Sequence, residues 1–405
     1  MLTLADIQAA RKRIAGGIAV TPCSESIPLS ELCGCQIYCK LEYLQRTGSF
    51  KERGARNALL LLAPEIRGRG VIAASAGNHA LGLAYHGQLL GIAVTVVMPV
   101  NAPLIKVATC RRLGAKVVLH GDSYDAAQAH AHQLATDLGL TYVHGYDDPA
   151  VIAGQGTLGL EILEQIPDVD VVILPVGGAG LLAGVAVAVK ALRPEIKILG
   201  VEAEHAPSMT AALAANRPVP VDVQPTLADG LAVRRVGERA FALAQPRLDG
   251  MATVDEEAIA LAVFRLMELE KSVVEGAGAT PLAALLRQRF PNLKGKRVAL
   301  VLAGGNIDLT LLDRVIGVGL VADGRLCRFT AIISDRPGGL ARLASLIAAT
   351  GASIKDITHD RTFAGPDVSR VRVICIVETT DAEHVSRLLR TMREAGVEVV
   401  ADPER

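Results

Sequence analysis

The chain has 405 residues, which suits two or three domains better than a single core. Lys plus Arg and Asp plus Glu each total 42, so the net charge is zero and neither nucleic acid nor an anionic membrane surface is expected as a partner. Aromatic residues make up 3% of the chain and Trp is absent, which argues against stacking platforms for bases or sugars.

Asp6, Arg11, Lys12 and Arg13 come before any apolar stretch, so the N-terminus does not read as a secretory signal and a cytoplasmic location is expected. Cys33, Cys35 and Cys39 form a C-x-C-x3-C cluster, but no second cysteine pair or histidine cluster completes a metal site. The cluster reads as small apolar residues on a strand in a reducing compartment. In Gly48-Ser49-Phe50-Lys51-Glu52-Arg53-Gly54-Ala55, Ser49 and Glu52 have capping-box spacing, so a helix is expected to start at Ser49. Lys51 then lies in the first turn, where the positive end of the helix dipole favours a neutral, nucleophilic amine. A solvated surface lysine would satisfy the same pattern.

From Val71 to Val143, β-branched runs alternate with helical segments, and the rhythm resumes from Val171 to Leu302. This is the pattern of a parallel sheet covered on both faces. Ser75-Ala76-Gly77-Asn78-His79 falls at a strand-to-helix junction, on the sheet edge where ligands bind. The uncharged run Val171–Val189 is long enough to raise the question of a membrane span, but it contains Pro175 and four glycines. It reads as strand, glycine turn and helix. Within it, Pro175-Val176-Gly177-Gly178-Ala179-Gly180-Leu181 offers consecutive N–H groups to an anion. It matches neither a dinucleotide fingerprint nor a Walker loop, so it suggests a phosphate without a nucleotide. Ala303-Gly304-Gly305-Asn306 is a second glycine turn at a strand's carboxyl end.

Beyond Ile316 the pattern becomes β-α-β-β-α-β, the order of a ferredoxin-like sandwich. Its middle hairpin is expected to turn at Ala364-Gly365-Pro366-Asp367.

Together these segments resemble the threonine dehydratase group of the tryptophan-synthase-β-like (fold type II) pyridoxal-phosphate enzymes. Further phrases in register are Leu41-Glu42, Val151-Ile152-Ala153-Gly154-Gln155-Gly156-Thr157, Leu227-Ala228-Asp229-Gly230 and Glu275-Gly276-Ala277-Gly278-Ala279. The resemblance implies a two-lobed α/β catalytic unit over residues 1–318, with a mobile small lobe of about 52–150. It implies pyridoxal 5′-phosphate on Lys51, with Phe50 beside its ring, Asn78 on its ring hydroxyl and Gly177, Gly178, Ala179, Gly180 and Leu181 around its phosphate. A small hydroxy amino acid would bind through Ser75, Ala76, Gly77, His79 and Gln155. The implied reaction is dehydration and deamination of threonine, and also of serine.

Two positions depart from the family pattern. Ala179 replaces a glycine, and Ala303 stands where a Ser or Cys usually meets the pyridine nitrogen. No metal is expected, with Glu202 the one position where the resemblance would allow a cation. Residues 326–405 resemble the ACT regulatory fold, which implies an amino-acid effector at Asp335, Gly338 and Gly339 and a homo-oligomer, dimer or tetramer. Two alternatives are a serine or aspartate racemase on the same scaffold and a non-catalytic amino-acid sensor.

Overall fold

In the computed structural model, residues 2–361, 367 and 369–401 are described. The chain divides into two compact units, Met1–Asp308 and Leu309–Arg405. The division falls ahead of the helix Leu309–Ala322, whose first part the sequence pattern assigns to the catalytic unit.

The first unit contains two sheets. One has four parallel strands in the order Lys116–Leu119, Val94–Met98, Val71–Ala74, Thr141–Tyr142. The other has six strands in the order Cys23–Ser26, Gln36–Leu41, Arg297–Leu302, Val171–Pro175, Lys197–Ala203, Gly250–Val254. Only its first strand runs antiparallel. Central strands such as Val171–Pro175 are buried along their whole length, as two-sided coverage by helices requires.

The helix Pro149–Gln165 links the parts that matter for function, and the sequence pattern does not mark it as a helix. Asp148 caps it by accepting from the N–H groups of Ala150 and Val151, and Pro149 occupies its first turn. Its small residues let two other helices come close. A Cβ on Gly154 would lie 2.5 Å from the Arg53 carbonyl oxygen, on the helix Lys51–Leu61. On the neighbouring helix Gly180–Leu192, a Cβ on Gly184 would lie 2.4 Å from the Ile152 carbonyl oxygen. One buried helix therefore fixes the lysine helix relative to the glycine turn.

A further helix spans Gly276–Leu286 with Pro281 inside it. A proline there cannot donate to the Ala277 carbonyl, which instead accepts from the Thr280 hydroxyl at 3.0 Å. Of the cysteine cluster, only Cys39 lies on a strand. Cys33 closes the helix Ile27–Cys33 and Cys35 follows it, and all seven thiols are free. Burial raises the Cys39 thiol far above its usual range, which makes it unreactive. No helix among the described residues is long and apolar enough to cross a membrane.

After the helix Leu309–Ala322, the second unit has the β-α-β-β-α-β order that the pattern implies. Its antiparallel sheet runs Ser353–Asp360, Arg370–Glu378, Leu326–Ser334, Glu398–Ala401. The helices Gly339–Ala349 and Ala382–Glu394 bury Leu343, Ile347, Leu388 and Met392 against one face. Ala364, Gly365 and Pro366 of the expected hairpin turn lie outside the described residues.

Candidate active site

The carboxyl ends of strands from both sheets of the first unit converge on a cavity of about 300 Å³. Its wall brings together Phe50, Lys51, Ser75 to His79, Gln155, Gly177 to Leu181 and Ala303.

Lys51 is the first residue of its helix, and Phe50 is the N-cap without a side-chain hydrogen bond. The expected capping box is absent. Glu52 turns away from Ser49 to accept from the Thr47 N–H and to meet His86 Nε2 at 3.1 Å, and the buried Ser49 hydroxyl is left without a partner. The Lys51 amine donates to the Gly145 carbonyl oxygen at 2.8 Å. Burial lowers its pKa from the usual lysine range to about 8, partly opposed by the negative charge of Glu275. Desolvation, more than the helix dipole anticipated from sequence, is what favours the neutral amine.

The turn after strand Val171–Pro175 is buried from Val176 to Leu181 and opens the helix Gly180–Leu192. The first-turn N–H groups of that helix have no acceptor within it, which makes a cradle for an anion. The ring of Tyr146 lies where a Cβ on Gly178 would come within 2.2 Å, and a Cβ on Gly180 would lie 2.4 Å from the Tyr146 carbonyl oxygen. Ala179 adopts the left-handed conformation, φ 68°, and is buried. A residue with a Cβ is strained there by roughly 1–2 kcal/mol. Ala179→Gly should therefore stabilise the protein by about 1 kcal/mol after the added flexibility of glycine is counted. A denaturant midpoint that fails to rise would contradict this account of the turn.

Ala303 is buried and offers the cavity no polar side chain, while its carbonyl accepts from the Phe50 N–H at 3.0 Å. Ser75 Oγ accepts from the Gly77 N–H at 3.2 Å. His79 packs its Nε2 against the Val143 carbonyl oxygen at 3.0 Å, and burial, with help from Lys51, lowers its pKa to about 3. It is therefore neutral and brings no charge to a substrate carboxylate. Gln155 is 1% exposed; its Oε1 accepts from the Gly54 N–H at 3.2 Å, and its buried Nε2 has no partner. An orphaned buried donor on a cavity wall is what a bound anion or carbonyl would satisfy.

Sequence reasoning assigns no role to several wall residues. Glu275 is buried, and burial together with the Asp229 charge raises its pKa to about 7. It accepts from Asn78 Nδ2 at 2.7 Å. Lys106 Nζ reaches across the mouth to Asp229 at 2.9 Å. Glu275 and Asp229 stand inside quoted phrases, but only the tertiary structure turns them toward one cavity.

Elsewhere, both oxygens of the buried Glu202 are taken by the N–H groups of Met209 and Thr210 at 2.9 Å. No group of three or more metal-ligating side chains occurs among the described residues. In the second unit, Asp335 accepts from Arg361 Nε at 2.9 Å. Gly338 takes φ 92°, and a Cβ on Gly339 would lie 2.3 Å from the Ser334 carbonyl oxygen, so the turn alone requires both glycines.

A half-buried lysine whose desolvated amine has its pKa lowered to about 8, beside an anion cradle, fits a phosphorylated aldehyde, and comparison with known proteins agrees. Residues 14–304 match the model of the pyridoxal-phosphate dependent enzymes. A Thermotoga maritima protein named L-threonine ammonia-lyase is 45% identical over 399 residues, covering 98% of this chain and 99% of that one. The processed threonine deaminase isoform 2 of Solanum lycopersicum is 40% identical with a TM-score of 0.74, covering 78% of this chain and 92% of that one. The serine racemase of Dictyostelium discoideum is 37% identical with a TM-score of 0.72, covering 76% and 99%. The chain belongs to the family of pyridoxal-phosphate dependent enzymes.

Proposed function

We propose that this protein dehydrates and deaminates L-threonine to 2-oxobutanoate and ammonia, and L-serine to pyruvate. The observation that carries this reading is the Lys51 amine, its pKa lowered to about 8 by burial, in the same cavity as the Gly177–Leu181 cradle. The relatives named for L-threonine ammonia-lyase support the choice of substrate.

Pyridoxal phosphate, when bound, supplies an aldehyde for amines and a ring that withdraws electrons. The N–H groups from Gly177 to Leu181 would hold its phosphate, Asn78 its ring oxygen and Phe50 one ring face. The substrate carboxylate would be received by Gln155 Nε2 and by the turn Ser75–Gly77, at the start of the helix Asn78–Leu90. Lys51, freed as a neutral amine, would take the proton from the α-carbon. The Lys106–Asp229 pair would hold the mouth closed and limit water.

The racemase alternative requires a second proton carrier on the opposite face. The resemblance places a serine there in racemases, whereas Ala76 lines this wall with no ionisable atom. An effector at Asp335, Gly338 and Gly339 and assembly into a homo-oligomer rest on the sequence resemblance. Comparing turnover with and without isoleucine or valine addresses the effector.

The test is a coupled keto-acid assay with chiral analysis of the recovered substrate. Formation of 2-oxobutanoate with no D-threonine supports elimination. An absence of product from both threonine and serine refutes it. A pH dependence follows from Lys51, whose pKa lies near 8. The amine is protonated below that pH and free above it. Reaction of the apo-protein with pyridoxal phosphate should therefore accelerate as the pH rises and level off above about 8. Stopped-flow absorbance would follow this, and a rate independent of pH would contradict it.

A further inference from the structure

Asn306 closes the glycine turn Ala303–Asn306, a turn that is weak evidence as sequence alone. In the fold this turn is tied to the lysine segment on both sides. Phe50 N–H donates to the Ala303 carbonyl at 3.0 Å, Gly305 N–H to that of Gly48 at 2.9 Å, and Glu275 N–H to that of Gly304 at 3.0 Å. The Asn306 amide nitrogen then makes two bonds, to the Thr47 carbonyl oxygen at 2.7 Å and to Asn78 Oδ1 at 2.8 Å.

The donors and acceptors along this chain follow from its ends. The Thr47 carbonyl can only accept, so Asn306 must face it with nitrogen. The second hydrogen of that nitrogen then requires an oxygen from Asn78. The nitrogen of Asn78 is thereby directed at Glu275, whose carboxylate accepts it at 2.7 Å. One hydrogen of Asn78 Nδ2 remains, on a residue that lines the cavity beside Lys51.

We propose that Asn306, with Glu275, is a positioning residue that locks the Asn78 amide so that it presents a donor, not an acceptor, to the ring oxygen of pyridoxal phosphate. The inference rests on the cofactor reading above. An anionic ring oxygen is held by an N–H and repelled by a carbonyl oxygen, so a free-flipping Asn78 would lose affinity in half of its orientations. Neither Asn306 nor Glu275 need touch the cofactor to have this effect.

Two variants test it. Asn306→Ala removes the lock. Asn306→Asp keeps the shape but turns an ionised acceptor toward Asn78 Oδ1. Apo-protein of each is titrated with pyridoxal phosphate by absorbance, and its thermal midpoint is measured without cofactor. Asn306→Asp should bind at least about tenfold more weakly than wild type, the order of one hydrogen bond to an anion, and Asn306→Ala about twofold more weakly, the cost of halving the donor-presenting population. Their apo midpoints should stay within a few degrees of wild type. The deficit of Asn306→Asp should shrink on acidification, because the introduced carboxyl, once protonated, can again donate to Asn78. Glu275, Asp229 and Lys51 titrate nearby in every variant, so the ratio to wild type at each pH is the quantity read. Variants that bind like wild type would overturn the proposal. So would a deficit in Asn306→Asp that ignores pH and follows a matching loss of thermal stability. Wild type that fails to bind the cofactor would instead overturn the functional reading itself.

Discussion

Replacing Lys51 with Ala should lower keto-acid formation by about a thousandfold or more, since on the proposed reading it removes both the covalent anchor and the α-proton base. The cradle from Gly177 to Leu181 is untouched by this change, so the variant should still take up pyridoxal phosphate, more weakly and with the absorbance of the free aldehyde. Lys51→Arg should fail equally, because a guanidinium neither loses its proton in the working range nor forms the imine. Borohydride reduction followed by peptide mass spectrometry gives the direct measurement. Wild type should carry a pyridoxyl adduct on the peptide containing Lys51, and the variants should carry none. An adduct on another lysine, or full activity in Lys51→Ala, would remove the basis of the functional proposal.

The α/β character of the first unit was legible because short β-branched apolar runs alternate with longer helical segments, and the C-terminal unit because its order changes to β-α-β-β-α-β. The helix Pro149–Gln165 was not. Its exposed and buried faces differ little in sequence, since it is buried nearly throughout and relies on Gly154 and Gly156 for close approach. Periodicity needs contrast between two faces, and a helix packed on all sides has none. The Ser49–Glu52 spacing misled for a different reason. Capping geometry is local, but Glu52 is taken by His86 from the helix Asn78–Leu90 and by the Thr47 N–H, partners that a four-residue pattern cannot weigh. Asn78 and the glycine turn stood out because their phrases follow strand ends, where ligands bind, and Lys51 because its phrase opens a helix. Glu275 and Asn306 lay in quoted phrases without a role, because their role is to hold Asn78, far away in sequence.

Arg53→Met should destabilise the apo-protein by about 3–5 kcal/mol, the cost of leaving buried charges without their partner. Arg53 is fully buried two residues after Lys51. Its guanidinium donates to both oxygens of Glu42, at 2.8 and 2.7 Å, and to both of Glu161, at 2.6 and 2.8 Å. Lys40 completes the cluster, donating to Glu161 and to the Thr21 carbonyl oxygen, each at 2.6 Å. Two cations thus balance two carboxylates in a buried space, and removing Arg53 leaves one cation for both. Burial alone would raise the Glu42 carboxyl, but Arg53 outweighs it and holds it below the usual range. A depressed carboxyl contributes stability at neutral pH and loses it as acid protonates the group, so the gap between Arg53→Met and wild type should narrow on acidification. Urea midpoints across pH measure this. Adding Glu42→Gln to Arg53→Met should recover part of the loss, because it removes one of the stranded charges. A single-variant cost below about 1 kcal/mol would mean that water reaches the cluster. The cluster would then not be the rigid base on which the Lys51 helix stands.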